Sequence, residues 1–377
     1  MSSKIKSIEA YPFTIGMTPG KEFQVTYGTI AAVTDIAVKI TAEDGTFGWG
    51  ETSCSTSMFY FSGETQASVR AAIKNMAPSL LGKEADNLNL IHETVKYVQR
   101  NQAKCALDIA LHDLIGKQQR VPVYKLLGGA LANEMPMSYT LGISSPKQMA
   151  EEAVKKAGEG FKTIEIKVGG RNNTQKTMEN DIASVRAVRD AIGNDVTLIV
   201  DANSGWSVRQ ALWALKKIED LDILLEQPTR FVEGLREVRK KTSVPIIADE
   251  SCQGLQDTVR LIEMEAADIL SIKLTKFAGF YESARIIGLS DAFGLDYRYD
   301  NMSQSRLAAT ASLHLALAYS RGIPSGGTAF TKYEDDLIES GGLRMNHGTA
   351  SLENPNEPGL GITINEKLLG PADVYKA

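Results

Sequence analysis

The sequence predicts an α/β protein, a modified TIM-like (β/α) barrel joined to an α+β capping domain, and three observations carry that prediction. A chain of 377 residues exceeds one ordinary core and suits a barrel with a smaller second domain. From about Met135 onward, short β-branched runs alternate with helical stretches, the pattern of βα units on a parallel sheet. Six charged residues then close successive runs at intervals of 34, 25, 23, 24 and 27 residues, one βα unit per step.

Residues 4 to about 50 alternate polar and apolar positions as strands do, and Glu43-Asp44-Gly45 signals a turn between two antiparallel strands. From Glu64 to about Leu126 apolar residues recur at helical spacing, most clearly through AKCALDIALHDLIGKQQRVPVYKLLGG, where Gly128 and Gly129 end the segment. Residues 1–130, completed by the C-terminal segment 355–377, are expected to form the capping domain, and residues 131–354 the barrel. The expected barrel strands are MPMSYTL, TIEIKV, VTLIVD, DILLEQ, VPIIAD, DILSIKL and LDYRYD, each apolar enough to be covered on both faces. Seven such strands point to a closed barrel. One intervening helix opens at Ser207, with Gln210 completing a capping box and Val208, Leu212, Leu215 and Ile218 as its expected apolar stripe.

The residues that close the runs carry the chemistry. Lys167, Asp201, Glu226, Asp249, Lys273 and Asp300 each fall at or near a strand's last residue, and the C-terminal ends of barrel strands converge on one face. Asp201, Glu226 and Asp249 at consecutive strand ends would repel one another without a cation among them. All-oxygen ligands favour Mg²⁺ or Mn²⁺, one ion per subunit. Any one acid alone reads equally well as a helix cap, and Asp201-Ala202-Asn203 resembles a capping turn. Three in register favour the metal. Lys167 and Lys273 flank the acidic arc as candidate bases, the bland alternative being salt bridges to those acids. A free lysine is almost wholly protonated at neutral pH, but a nearby divalent cation and partial burial both disfavour the ammonium. Together these groups would remove the proton next to a substrate carboxylate and stabilise the resulting enolate.

The remaining features narrow the class. A formal charge of -5 leaves no electrostatic footprint for nucleic acid or an anionic membrane, so the expected partner is a small-molecule carboxylate. No apolar run is long enough to span a bilayer, and MSSKIKSIEAYPF lacks the core of a signal peptide, which implies a cytoplasmic protein. Cys54, Cys105 and Cys252 suggest neither disulfides nor a thiolate zinc site and are expected to be buried small residues. His92, His112, His314 and His347 show no ligand spacing, and His314 sits in an apolar run expected in the core.

Six motifs, AKCALDIALHDLIGKQQRVPVYKLLGG, IEIKVGG, VDAN, LEQP, ADES and SIKLTK, together make the chain resemble the enolase superfamily. The resemblance is to the branch of mandelate racemase and muconate lactonizing enzyme, in its two-lysine form. It implies Mg²⁺ on Asp201, Glu226 and Asp249, acid/base roles for Lys167 and Lys273, and a homo-oligomer. Glu165 replaces the first lysine of the usual Lys-x-Lys pair, and a carboxylate there would raise the pKa of Lys167. Subgroups acting on proline betaines and hydroxyprolines share that absence and resemble the chain in IKVGGR, KLTK and PGLGITINEKLLGP. Expected substrate contacts are Asp300, Asn203, Glu165, Phe59 and Tyr60, the aromatic residues lying with Phe61 in a loop that would close over a cationic amine. Racemisation or epimerisation of an amino-acid-like carboxylate leads, ahead of dehydration of a β-hydroxy acid such as cis-3-hydroxyproline or a sugar acid, and of muconate-type cycloisomerisation. A Schiff-base aldolase and a barrel that binds without catalysing are the other classes weighed.

Overall fold

The computed structural model describes residues 3–54, 63–170, 173–320 and 326–377. The N-terminal strands Ile5–Gly16, Ala32–Ala42 and Phe47–Thr52 form an antiparallel meander, with the turn at Glu43–Gly45 where the sequence places it. The C-terminal strand Asp373–Lys376 adds to its outer edge, pairing Ser7 with Lys376. Helices Gln66–Leu80, Leu88–Val95 and Asn101–Gln119 belong to the same region. Helix Asn101–Gln119 is buried nearly all round because it serves two cores. Ala103, Ala106, Ala110 and Leu114 face the cap's cluster, while Cys105 and Ile109 face the barrel's. The adjoining strand comes so close that a Cβ on Gly50 would lie 2.1 Å from the Ala106 carbonyl.

Seven parallel strands follow in simple sequential order: Ser138–Leu141, Thr163–Lys167, Thr197–Asp201, Ile223–Glu226, Ile246–Ala248, Ile269–Ile272 and Asp296–Tyr299. The run MPMSYTL is two strands rather than one. Its first part, Glu134–Pro136, joins a three-stranded antiparallel sheet with Leu343–Asn346 and Thr349–Leu352. The first and seventh barrel strands share no ladder among the described residues, yet Arg298 Nη2 on the seventh reaches Ser138 Oγ on the first at 3.1 Å. The sheet therefore curls round to meet itself, and the segment at 326–328 fills the gap. Gly326 N donates to Tyr299 O at 2.8 Å and Thr328 Oγ1 to Ser138 O at 3.4 Å.

Between the strands the helices behave largely as their sequences require. Ser207 and Gln210 make the expected capping box, but the buried face of that helix is Ala211, Ala214, Leu215 and Ile218. Val208 and Leu212 are only half-buried, and Ala211 and Ala214 turn inward in their place. The three cysteines are free and buried. His314 is in the core, where burial pushes its pKa down to about 4. No helix among the described residues is long and apolar enough to cross a membrane.

Candidate active site

Strand alternation places residues two apart on the same face. Counting back from each strand end gives the pairs Glu165/Lys167, Ile199/Asp201, Leu224/Glu226, Ile247/Asp249, Ser271/Lys273 and Arg298/Asp300. Ile199, Leu224, Ile247 and Ile269 pack together as a separate apolar cluster, an inner layer of the barrel, and the charged layer lies beyond it toward the C-terminal ends.

The two lysines are held by carboxylates. Lys167 Nζ lies 2.8 Å from Glu165 Oε1 and also pairs with Asp201 Oδ2. Lys273 Nζ lies 2.7 Å from Asp249 Oδ2 and 2.9 Å from Asp300 Oδ2. Burial works against both ammoniums, but the carboxylates outweigh it and hold both pKa values well above the ordinary lysine range. Glu165 raises that of Lys167, in the direction the sequence implies. The depression expected from burial alone is reversed, because the acids lie in direct contact.

The expected acids converge with one change of partner. Glu226, Asp249 and Asp300 bring ligand oxygens within 4.8 Å of one another. Asp201, beside Glu226 in the ladder, is engaged by Lys167 and by Asn203, whose backbone N and Nδ2 donate at 2.8 and 2.9 Å. Burial, and after it the charge of Asp201, pushes the Glu226 carboxyl well above the usual range, with Glu165 and Asp249 adding to the effect. A buried oxygen cluster crowded with negative charge suits a hard divalent cation, which would relieve that repulsion.

The cap supplies the roof. Thr26 Oγ1 donates to Val168 O at 2.9 Å and Ala202 O at 3.0 Å, tying the stretch 23–30 to two strand ends. Ile143 N donates to Gln24 O at 2.7 Å on the other side. Beneath it lies a pocket lined by Lys167, Lys273, Glu165, Asn203 and Asp300, with Phe23, Tyr27 and Lys332. Phe59, Tyr60 and Phe61 fall outside the described residues.

Several participants escape sequence reasoning. Arg298, fully buried, donates through Nη1 to Glu226 Oε2 at 2.7 Å and to Glu165 Oε2 at 3.2 Å. Lys276, also fully buried, holds Asp249 Oδ1 at 2.7 Å and the carbonyls of Asp249 and Ser271. Gln227 Oε1 accepts from Asp249 N at 2.7 Å, fixing the strand end that presents Asp249. Glu250 is half-buried beside Asn203, which donates to it at 3.1 Å, and its pKa is pushed up to about 8 by loss of hydration and by Asp249. Arg298 had a legible signal, since it lies two residues before Asp300 and must share its face. Lys276 stands in the motif SIKLTK, but spacing alone does not assign its partner.

Residues 148–368 match the family described as enolase C-terminal domain-like, and residues 10–128 match the mandelate racemase/muconate lactonizing enzyme N-terminal domain. The chain belongs to the enolase superfamily, in its mandelate racemase/muconate lactonizing enzyme family. It is 34% identical over 352 residues to an L-Ala-D/L-Glu epimerase of Clostridium acetobutylicum, covering 91% of this chain and 94% of that one. The N-succinyl Arg/Lys racemase structure from Bacillus cereus superposes with a TM-score of 0.91 at 29% identity, covering 99% of this chain and 100% of that one. A dipeptide epimerase from Enterococcus faecalis, in complex with Mg and L-Leu-L-Tyr, superposes with a TM-score of 0.87 at 33% identity, covering 96% and 99%.

Proposed function

We propose that this protein is a Mg²⁺-dependent racemase or epimerase acting at the α-carbon of an amino-acid-derived carboxylate such as a dipeptide or an N-acyl amino acid. The observation that carries this reading is that Lys167 and Lys273 line one pocket from the second and sixth strand ends, and the strands that end at Asp201, Glu226 and Asp249 lie between theirs in the sheet. A group on each side of a bound carboxylate is what inversion needs. One lysine, as the neutral amine, takes the α-proton and becomes an ammonium. The electron pair of the broken C–H bond moves into the enolate, and the other lysine's ammonium returns a proton to the opposite face.

Asp201, Glu226 and Asp249 would hold the cation, which when bound supplies positive charge to the carboxylate oxygens where the enolate's negative charge develops. Competition for the same oxygens would also loosen the grip of Asp201 on Lys167 and of Asp249 on Lys273. That lowers the cost of presenting a neutral amine. Glu165 and Asp300 then orient the two lysines, and Asn203 steadies Asp201. The activities of the relatives, on dipeptides and on N-succinyl Arg/Lys, support the substrate class. The reading includes a cytoplasmic enzyme assembled as a homo-oligomer, which light scattering on the purified protein checks.

The experiment is α-proton exchange in D₂O with Mg²⁺, followed by NMR over N-acyl amino acids and dipeptides of both configurations. Wild type exchanges the proton and inverts the centre with the carbon skeleton retained. Lys167→Ala and Lys273→Ala each stop inversion, while each still exchanges the one enantiomer whose proton faces the surviving lysine. Loss of water from a β-hydroxy substrate would identify a dehydratase instead. Unchanged inversion in either variant would refute the assignment.

A further inference from the structure

Four ammonium groups are buried in or beside the barrel mouth, and three are fully accounted for. Lys167 and Lys273 each hold two carboxylates. Lys276 places its three protons on Asp249 Oδ1 and two backbone carbonyls. Lys332 is the exception. It is only 7% exposed, at the end of the short turn Ala329–Lys332, and among the described residues it forms no salt bridge. Among the described residues its Nζ donates one hydrogen bond, to the neutral carbonyl of Thr140 at 3.1 Å. The Phe23 and Tyr139 rings lie 4.2 and 5.0 Å from its Nζ.

That environment is costly for a cation. Burial pushes the Lys332 pKa down to about 8; Glu152 opposes that shift, and Lys156, Lys21 and Lys167 add to it. A structural lysine would have been satisfied as Lys276 is, or replaced by an apolar residue at less cost. Lys332 also lines the same pocket as the acid/base pair, and Thr140, which holds it, is the ladder neighbour of Glu165. The pocket's two lining carboxylates, Glu165 and Asp300, are already paired with Lys167 and Lys273. The uncompensated charge in the described lining is therefore positive.

We propose that Lys332 is a specificity-determining residue that binds a second carboxylate of the substrate, one carried on its acyl or side-chain arm rather than on the reacting carbon. The inference rests on the racemase reading for the position of the first carboxylate. It also assigns Phe23 and Tyr139 to the Lys332 ammonium, so that these rings are taken by a cation of the protein.

The test uses three probes on the Mg²⁺-loaded enzyme, with binding read by calorimetry. They are N-succinyl-L-leucine, with the extra carboxylate on the acyl arm, N-acetyl-L-glutamate, with it on the side chain, and N-acetyl-L-leucine, with none. A charge-assisted hydrogen bond in a desolvated site makes one dianionic probe bind about 10- to 100-fold tighter than N-acetyl-L-leucine. Which of the two wins identifies the arm. Lys332→Met, which keeps an unbranched apolar chain and removes the ammonium, collapses that ratio toward one, and Lys332→Arg retains part of it. Equal binding of all three probes, no binding of any, or an equal loss on all three in Lys332→Met would overturn the proposal. Deuterium incorporation at the α-carbon is scored separately on the same samples. Selective binding without exchange would sink the racemase reading and leave the Lys332 site standing.

Discussion

Removing the Arg298 guanidinium should cost more stability than any other single change at the barrel mouth. Arg298 is fully buried and bridges Glu226, Glu165 and Ser138 through four contacts of 2.7 to 3.2 Å. In Arg298→Met a chain of similar length fills most of the space but leaves two carboxylates facing each other without their shared cation. Breaking a buried pair from one side costs about 3–5 kcal/mol. At roughly 2–4 °C per kcal/mol for a domain of this size, the melting temperature falls by about 10 °C. The pH dependence gives a second handle. Burial opposes ionisation of Glu165, but Lys167 and then Arg298 outweigh it and hold its pKa down to about 2. A depressed carboxyl contributes stability above its unfolded value of about 4.5, and loses it as pH falls toward 2. The deficit of Arg298→Met should thus be largest at neutral pH and narrow below pH 4.5. Differential scanning calorimetry of wild type, Arg298→Met and the Glu165→Gln/Arg298→Met double variant measures it. Melting within about 2 °C of wild type at pH 7, or no recovery in the double variant, would refute the bridging role.

Three further outcomes follow from the same geometry. Mg²⁺ should raise the melting temperature by an amount that saturates, equivalent to about 2.7 kcal/mol at a hundredfold excess over its dissociation constant. Asp201→Asn, Glu226→Gln and Asp249→Asn should each weaken that shift, and comparing Asp300→Asn with Asp201→Asn decides which of the two completes the ligand set. In the cap, Asp108 accepts from Phe280 N and from His92 and touches His112, clasping a barrel helix. Burial opposes both charges, yet pairing lowers the Asp108 pKa and raises that of His112. The aspartate's contribution is lost as pH falls below about 4, and the histidine's as pH rises past its folded value above 6.5. The gap in melting temperature between wild type and Asp108→Asn should therefore peak between those limits, and a gap flat from pH 3 to 9 would count against the clasp. Gly50→Ala should destabilise by about 1–3 kcal/mol in urea titrations, since its Cβ would meet the Ala106 carbonyl at 2.1 Å. Gly158→Ala, with open space around it, should be neutral or mildly stabilising.

Much of the site is a local property of the chain. An apolar run followed by a charged residue at each βα interval places Lys167, Asp201, Glu226, Asp249, Lys273 and Asp300 at strand ends, and barrel geometry then gathers them. The pleat extends this by two residues and makes Arg298 legible beside Asp300, while Glu165 is read from the resemblance, at the place of the usual first lysine. Run length misled at MPMSYTL, where composition does not mark the change of sheet. The apolar stripe misled at Val208 and Leu212, where Ala211 and Ala214 turn inward instead.

Residue type, patterning and spacing thus decided the barrel, its cap, the acids and the lysines, because short-range periodicity fixes which face a side chain takes. Pairing was decided only in three dimensions. That Asp201 turns to Lys167, that Arg298 reaches Glu165 across 133 residues, and that Lys332 meets Thr140 across 192 without a salt bridge among the described residues are long-range facts. Electrostatic partnership depends on distance and burial, and neither is encoded by any window of neighbouring residues.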